Sequence, residues 1–181
     1  MSSYVTQNDL LLKNLKDFYS KDDRIDTMLR VINGESKISL RIVDWFVTNY
    51  AKEKYVVYQL EHDKRIKVYD SYKLNLRAYS KKRFDPFCRW DRITIPYKEG
   101  KHIQTTIGQL NFFKWAIENK IIGYIDENYE SIEKDMNSRN STSKKNSNNI
   151  DNKTRKKREE LSIHAVKSVK KESIDIIVKF D

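Results

Sequence analysis

The spacing of apolar residues changes along this chain of 181 residues, and that change limits the fold it can form. Up to residue 51 apolar residues recur every three or four positions, which predicts helices. Residues 55–60 are rich in β-forming residues, and residues 66–69 and 92–97 alternate apolar with polar ones, which predicts strands. Helical spacing returns over residues 106–136. This order predicts an α+β fold, with a small antiparallel sheet from about 55 to 105 and N- and C-terminal helices packed on it.

The composition changes after Met136, where Asn, Ser, Thr and Lys replace apolar residues. Such a segment cannot bury enough apolar surface to offset the entropy lost on ordering. We therefore predict one globular domain over residues 1–137, a disordered basic linker over 138–172 and a β-prone strip over 173–181.

The C-terminal strip is apolar at every second position, and an isolated strand is not stable in water. It either completes the sheet of the globular domain or adds to the sheet edge of a partner protein. The residues predicted to contact such a partner are Ile174, Ile176, Val178 and Phe180.

Positive charge is concentrated in two parts of the chain. Residues 64–101 hold 12 Lys and Arg against 4 Asp and Glu, and residues 138–181 hold 12 against 6. The rest of the chain is net negative, although the whole chain carries +10. Solubility does not require such segregation, and it predicts a polyanionic partner.

Residues 69–101 interleave basic and aromatic side chains. Cations pair with phosphates, and aromatic rings either stack on exposed bases or pack into a core. The leading hypothesis is non-enzymatic binding of nucleic acid, DNA or RNA. The alternative is that the cations form a solvated rim over a packed aromatic core. The predicted nucleic-acid-binding residues are Lys73, Arg77, Lys81, Lys82, Arg83, Arg89, Arg92, Lys98 and Lys101. The aromatic residues are Tyr69, Tyr72, Tyr79, Phe84, Phe87, Trp90 and Tyr97.

A second basic cluster lies in the predicted linker. Its sequence, KTRKKR, is typical of either a nuclear import signal or a phosphate-binding tract. The cluster would add non-specific affinity for nucleic acid. Its members are Lys153, Arg155, Lys156, Lys157 and Arg158.

Motifs of catalysis, metal binding and membrane insertion are missing from the sequence. Cys88 is the single cysteine, and the three histidines show no metal-ligand spacing. Cys88 and His102 could form a catalytic pair, but a lone cysteine beside aromatic residues is usually a small buried apolar group. We expect no enzymatic activity, no cofactor and no metal. The chain start lacks the pattern of a secretory signal, and no apolar run approaches the ~18 residues of a membrane span. These features predict a soluble protein of a reducing compartment.

Three strings in the sequence resemble an uncharacterised protein family of nucleocytoplasmic large DNA viruses, the giant viruses. They are INGESKISLRIVDWFVTNYAKE, YKLNLRAYSKKRFDPFCRW and TTIGQLNFFKWAIENKIIGYI. Similar proteins also end, after a polar basic linker, in a short strip like IDIIVKFD. The resemblance implies a protein of the virion or of the viral factory, in the cytoplasm or nucleus of the host cell. It implies no activity and no functional residues. In that setting, the alternative function is a structural or adaptor protein that docks a viral partner through the C-terminal strip.

Overall fold

The computed structural model describes residues 6–147, apart from residues 22, 62 and 99, together with residues 170–172. The helices are α1 Gln7–Tyr19, α2 Arg24–Ile32, α3 Leu40–Trp45, α4 Ala51–Glu53, α5 Val68–Arg83, α6 Ile107–Glu118, α7 Ile121–Glu127 and α8 Tyr129–Ser147. A π-helical segment, Phe46–Tyr50, joins α3 to α4. The strands are β1 Val57–Gln59, β2 Arg65–Lys67, β3 Arg92–Tyr97, β4 Lys101–Thr106 and β5 Lys170–Glu172. The predicted α+β class is confirmed.

The strands form two small antiparallel sheets where the sequence predicts one. The β1–β2 hairpin is separate from the sheet of β3, β4 and β5. The 16-residue helix α5 begins directly after β2, so the first hairpin cannot extend toward the second. In the second sheet, β3 and β4 pair from Arg92 and Thr106 at one end to Tyr97 and Lys101 at the other. The Arg92–Thr106 end of the hairpin therefore lies near the end of α5, and the Tyr97–Lys101 end lies near α2.

Helix α6 lies at the centre of the core, as its apolar sequence predicts. It is tied to α1, where the buried Tyr19 hydroxyl donates a hydrogen bond of 2.8 Å to the Leu110 carbonyl. It packs against α5 through aromatic rings. Its start is capped by Thr106, whose hydroxyl accepts from the Gln109 N–H at 3.2 Å. The fully buried large side chains of the core include Leu15, Met28, Leu29, Ile32, Leu40, Phe46, Phe84, Ile103, Leu110, Phe112, Phe113 and Ile121.

Helix α8 continues to Ser147, past the domain boundary predicted at residue 137. Its first half is anchored, because the Trp45 Nε1 donates to the Asp135 carboxylate at 2.9 Å and Arg139 pairs with Asp135 at 3.1 Å. The pairing of Arg139 with Asp135, four residues apart, supports the helix beyond residue 137. The KTRKKR cluster and the strip residues Ile174 to Phe180 lie outside the described residues.

Candidate nucleic-acid interface

A surface cleft of about 580 Å³ lies where the end of α5 meets the loop that leads into β3. We call it the basic cleft. It brings together three of the nine predicted binding residues, Lys81, Lys82 and Arg89. The residues that line it are Lys81, Lys82, Asp85, Phe87, Cys88, Arg89 and Trp90.

A break in α5 forms one side of the basic cleft. Ser80 has φ 61° and ψ 167°, a conformation that residues other than glycine rarely adopt. The residues after it therefore leave the axis of the helix. Phe84, four residues later, is fully buried. Its ring lies 5.6 to 6.1 Å, between centroids, from Tyr72, Tyr79, Phe112 and Trp115. This burial holds the strained segment, with Lys81 and Lys82, at the cleft.

Buried polar side chains at the start of α6 hold the loop on the other side. Asn111 Nδ2 donates to the Arg83 carbonyl at 2.9 Å, and Gln109 Nε2 donates to the Pro86 carbonyl at 3.1 Å. The Thr106 hydroxyl donates to the Cys88 carbonyl at 3.2 Å. Buried carbonyls that find donors keep a loop in one conformation. The cleft is therefore organised before any ligand arrives.

None of these three anchoring residues is among those predicted from the sequence to form the site. Gln109 and Asn111 are at most 5% exposed, yet they lie in a helix that is otherwise strongly apolar. Polar residues at such positions are a signal in the sequence, because a buried amide requires hydrogen-bond partners. The sequence does not show which carbonyls those partners are.

The charges in the basic cleft are only partly compensated. Within the part of the chain that the structure describes, neither Lys81 nor Arg89 forms an ion pair or a side-chain hydrogen bond. Lys82 pairs with Asp91 at 3.0 Å, and both side chains are more than half exposed. Such a pair contributes ~0–1 kcal/mol, so a phosphate can replace the carboxylate. Asp85 opposes anion binding, although its Oδ1 accepts the Phe87 N–H at 2.8 Å.

Four predicted residues near the basic cleft do not line it. Lys73 and Arg77 lie on α5 before the break at Ser80. Arg83 lies beyond the break, where its carbonyl is bound by Asn111. Arg92 begins β3 and donates from Nη1 to Gln104 Oε1 at 3.0 Å.

The last two predicted residues lie at the far end of the β3–β4 hairpin. Strand geometry places Lys98 and Lys101 ~17 Å from Arg92. Lys98 Nζ lies 2.6 Å from Asp26 Oδ2, and the Tyr97 hydroxyl donates to Asp26 Oδ1 at 2.5 Å. Hydrogen bonding to Asp26 raises the pKa of both Tyr97 and Lys98 above their ordinary values. Lys98 and Tyr97 therefore fasten the hairpin to α2.

Most aromatic residues of the central stretch pack against the core. Tyr69, Tyr72, Tyr79 and Tyr97 are partly buried there, and Phe84 is fully buried. The alternative of a packed aromatic core thus describes these five residues. Phe87 and Trp90 line the basic cleft; Phe87 is also partly buried against the core, whereas Trp90 is 73% exposed.

Three observations concern Cys88, metal binding and membrane insertion. Cys88 is buried, as expected, and its thiol lies 3.3 Å from the Lys82 carbonyl oxygen. Among the described residues, no group of three or more His, Cys, Asp or Glu side chains could hold a metal ion. No helix in the same part of the chain is both long enough and apolar enough to cross a membrane.

Comparisons with known proteins place the chain among viral proteins. Uncharacterized protein L507 of Acanthamoeba polyphaga mimivirus is 44% identical over 145 residues. That alignment covers 75% of this chain and 55% of L507, so the chain spans about half the length of this relative. No solved structure matches the chain. Residues 4–181 match the family described as "Family of unknown function (DUF7197)". The resemblance to an uncharacterised family of giant-virus proteins is therefore confirmed, and the chain belongs to the family DUF7197.

Proposed function

We propose that this protein binds nucleic acid without catalysis and that the basic cleft is its contact surface. The observation that carries the proposal is the convergence of Lys81, Lys82 and Arg89 in one cleft beside an exposed tryptophan. Two of these cations have no partner among the described residues, so they are available to an anion. Enrichment in positive charge around an accessible aromatic ring is characteristic of nucleic-acid-binding surfaces.

The two kinds of cation would make different contacts. Arg89 offers a planar guanidinium that can donate two parallel hydrogen bonds to one phosphate. Lys81 and Lys82 act as compact positive charges that tolerate many phosphate positions. Such contacts carry no sequence information and predict affinity that falls steeply with salt. The polar anchors of α6 lower the entropic cost of binding, because the loop is already ordered.

The triple variant Lys81→Ala, Lys82→Ala, Arg89→Ala is expected to lower affinity for nucleic acid at least tenfold. The slope of log K against log salt should become shallower by roughly 0.7–0.9 for each phosphate that the variant can no longer neutralise. Fluorescence anisotropy over a series of salt concentrations measures both quantities.

A matched control removes the same charge from α1 and the turn that follows it. Lys13, Lys16 and Lys21 are exposed and lie outside the basic cleft. Their triple alanine variant should keep most of the affinity. The proposal is wrong if the parent shows no binding at about 50 mM salt, or if both triple variants weaken binding equally.

A second candidate function is that of a structural or adaptor protein of the virion or viral factory. β5 pairs antiparallel with β4, and Glu172 lies opposite His102. Because the strands are antiparallel, only Lys101, the first residue of β4, is left to pair beyond the His102–Glu172 pair. β4 can therefore pair with at most one residue after Glu172. The β-prone strip predicted over residues 173–181 would then need another strand to pair with. The sheet edge of a partner protein would supply that strand.

Replacing Ile174, Ile176, Val178 and Phe180 by serine is expected to abolish retention of viral proteins and to leave nucleic-acid affinity unchanged. The substitution removes the apolar side chains but keeps the length of the chain. A pull-down from infected cells, with the cleft triple variant as the matched control, measures the first effect. If the serine variant retains every viral partner, the adaptor function is excluded.

A further inference from the structure

The side chain of Trp90, unlike those of the other two tryptophans, has no hydrogen-bond or ring partner among the described residues. Trp45 donates from Nε1 to Asp135 at 2.9 Å, and Trp115 donates from Nε1 to Ser71 Oγ at 3.0 Å. Both pack against the core. Trp90 is 73% exposed, and no described residue contacts its ring as an aromatic or cationic partner or accepts from its indole N–H. Tryptophan is highly buried on average, and this exposed ring stands in a cleft lined by cations, so its face is available to a ligand.

The surroundings of Trp90 define the chemistry of that ligand. The ring stands beside Arg89 in the loop, and Lys81 and Lys82 line the same cleft. A ligand that satisfies all four side chains must combine a flat apolar face with several negative charges. Nucleotides have this combination, because each base has a π-face and each linkage carries a phosphate.

Stacking on Trp90 requires a base whose face is accessible. In a duplex the faces are covered by neighbouring base pairs, and only the base edges are open in the grooves. A single strand can turn a base out of its stack and place it against an aromatic ring. The cleft, of about 580 Å³, is open to solvent and leaves room for such a base beside the ring.

We propose that the basic cleft binds single-stranded nucleic acid, with one base stacked on Trp90 and the adjoining phosphates on Lys81, Lys82 and Arg89. This inference rests on the proposed function of the cleft and adds the class of nucleic acid. Lys82 exchanges its exposed contact with Asp91 for a phosphate when the strand binds. Phe87, which also lines the cleft, extends the apolar wall beside the stacked base.

The experiment compares four fluorescein-labelled probes on the full chain. They are oligothymidine of roughly 12 nucleotides, oligouridine of the same length, an abasic strand with the same number of phosphates, and a duplex of that length. The parent should bind one of the base-carrying strands about 5- to 100-fold more tightly than the abasic strand. The tighter of the two strands identifies the preferred sugar.

Two variants separate stacking from charge. Trp90→Ala should bind base-carrying and abasic strands equally, with the salt slope of the parent. Trp90→Phe should restore most of the difference, because phenylalanine keeps a ring that can stack. The inference is overturned if the parent does not distinguish base-carrying from abasic strands, or if Trp90→Ala still does.

The duplex probe distinguishes failure of this inference from failure of the proposed function. Salt-dependent binding of duplex and single strand with equal affinity overturns the inference and leaves nucleic-acid binding by the cleft in place. Absence of binding to all four probes at about 50 mM salt overturns both.

Discussion

Replacing Phe84 by alanine is expected to lower the free energy of unfolding by about 3–5 kcal/mol. The side chain is fully buried, and its ring contacts aromatic rings from both α5 and α6. The substitution removes this apolar contact area and leaves a cavity that the surrounding rings can fill only in part. Native domains are stable by roughly 5–15 kcal/mol, so the loss is a large share of the total. Urea denaturation followed by tryptophan fluorescence measures it.

The matched control for Phe84 is an aromatic residue in the same segment that is not buried. Trp90→Ala removes a larger ring, but that ring is 73% exposed, so stability should change by less than about 0.5 kcal/mol. Followed by circular dichroism, the two variants should differ several-fold in their effect. Equal effects would contradict the assignment of Phe84 to the core and Trp90 to the surface. If Phe84→Ala does not fold, Phe84→Leu keeps most of the volume and permits the measurement.

The contrast between these two residues shows what the sequence alone could predict. The helices, the strands and the α+β class follow from apolar spacing, because tertiary burial imposes that spacing on each element. The basic and aromatic stretch also follows from the sequence, as does its net charge. Which aromatic ring is buried does not follow, since Phe84 and Trp90 occur in the same interleaved pattern. Phe84 is buried just after the break at Ser80, a backbone conformation that no local pattern indicates.

The candidate site was predictable in composition but only partly in geometry. Lys81, Lys82 and Arg89 meet because the loop after α5 folds back onto the start of α6. Lys98 lies next to the same stretch in sequence, but the six-residue strand β3 carries it to the other end of the hairpin. Contacts between residues distant in sequence therefore decide which cations converge. Hydrogen-bond partners of this kind are set by the whole fold and cannot be derived from spacing.

The single sheet predicted over residues 55–105 shows the same limit. Both hairpins were predictable from their β-forming and alternating residues, and both are present. Residues 72–79 between them predict a short helix, whereas α5 spans Val68–Arg83 with a break at Ser80. Packing of Tyr72 and Tyr79 against Phe84 holds the helix before the break against the segment after it. The longer helix separates the two hairpins into two sheets.

Replacing Gly108 by alanine is expected to destabilise the protein by about 1–3 kcal/mol, although alanine is the better helix former. Gly108 lies in the first turn of α6, against the loop of the basic cleft. A Cβ at this position would lie 2.9 Å from the Cys88 Cβ, 3.1 Å from the Lys82 carbonyl oxygen and 3.2 Å from the Asp85 carbonyl oxygen. The two carbonyl oxygens belong to the backbone, and the Cys88 Cβ is bonded directly to it. None of the three can move away alone, so the loop must shift.

Gly123 in α7 is the matched control, because a Cβ there meets no atom within 4 Å. Gly123→Ala should stabilise the protein by about 0.5–1 kcal/mol, since it removes backbone freedom from the unfolded chain without a clash. The two substitutions are chemically identical and should shift the urea midpoint in opposite directions. Because Cys88 is the single cysteine and is buried, its reaction with Ellman's reagent reports on the loop. That reaction should be faster in Gly108→Ala and unchanged in Gly123→Ala. If both alanines stabilise the protein, the prediction is wrong, and α6 does not pack against the loop as closely as these distances indicate.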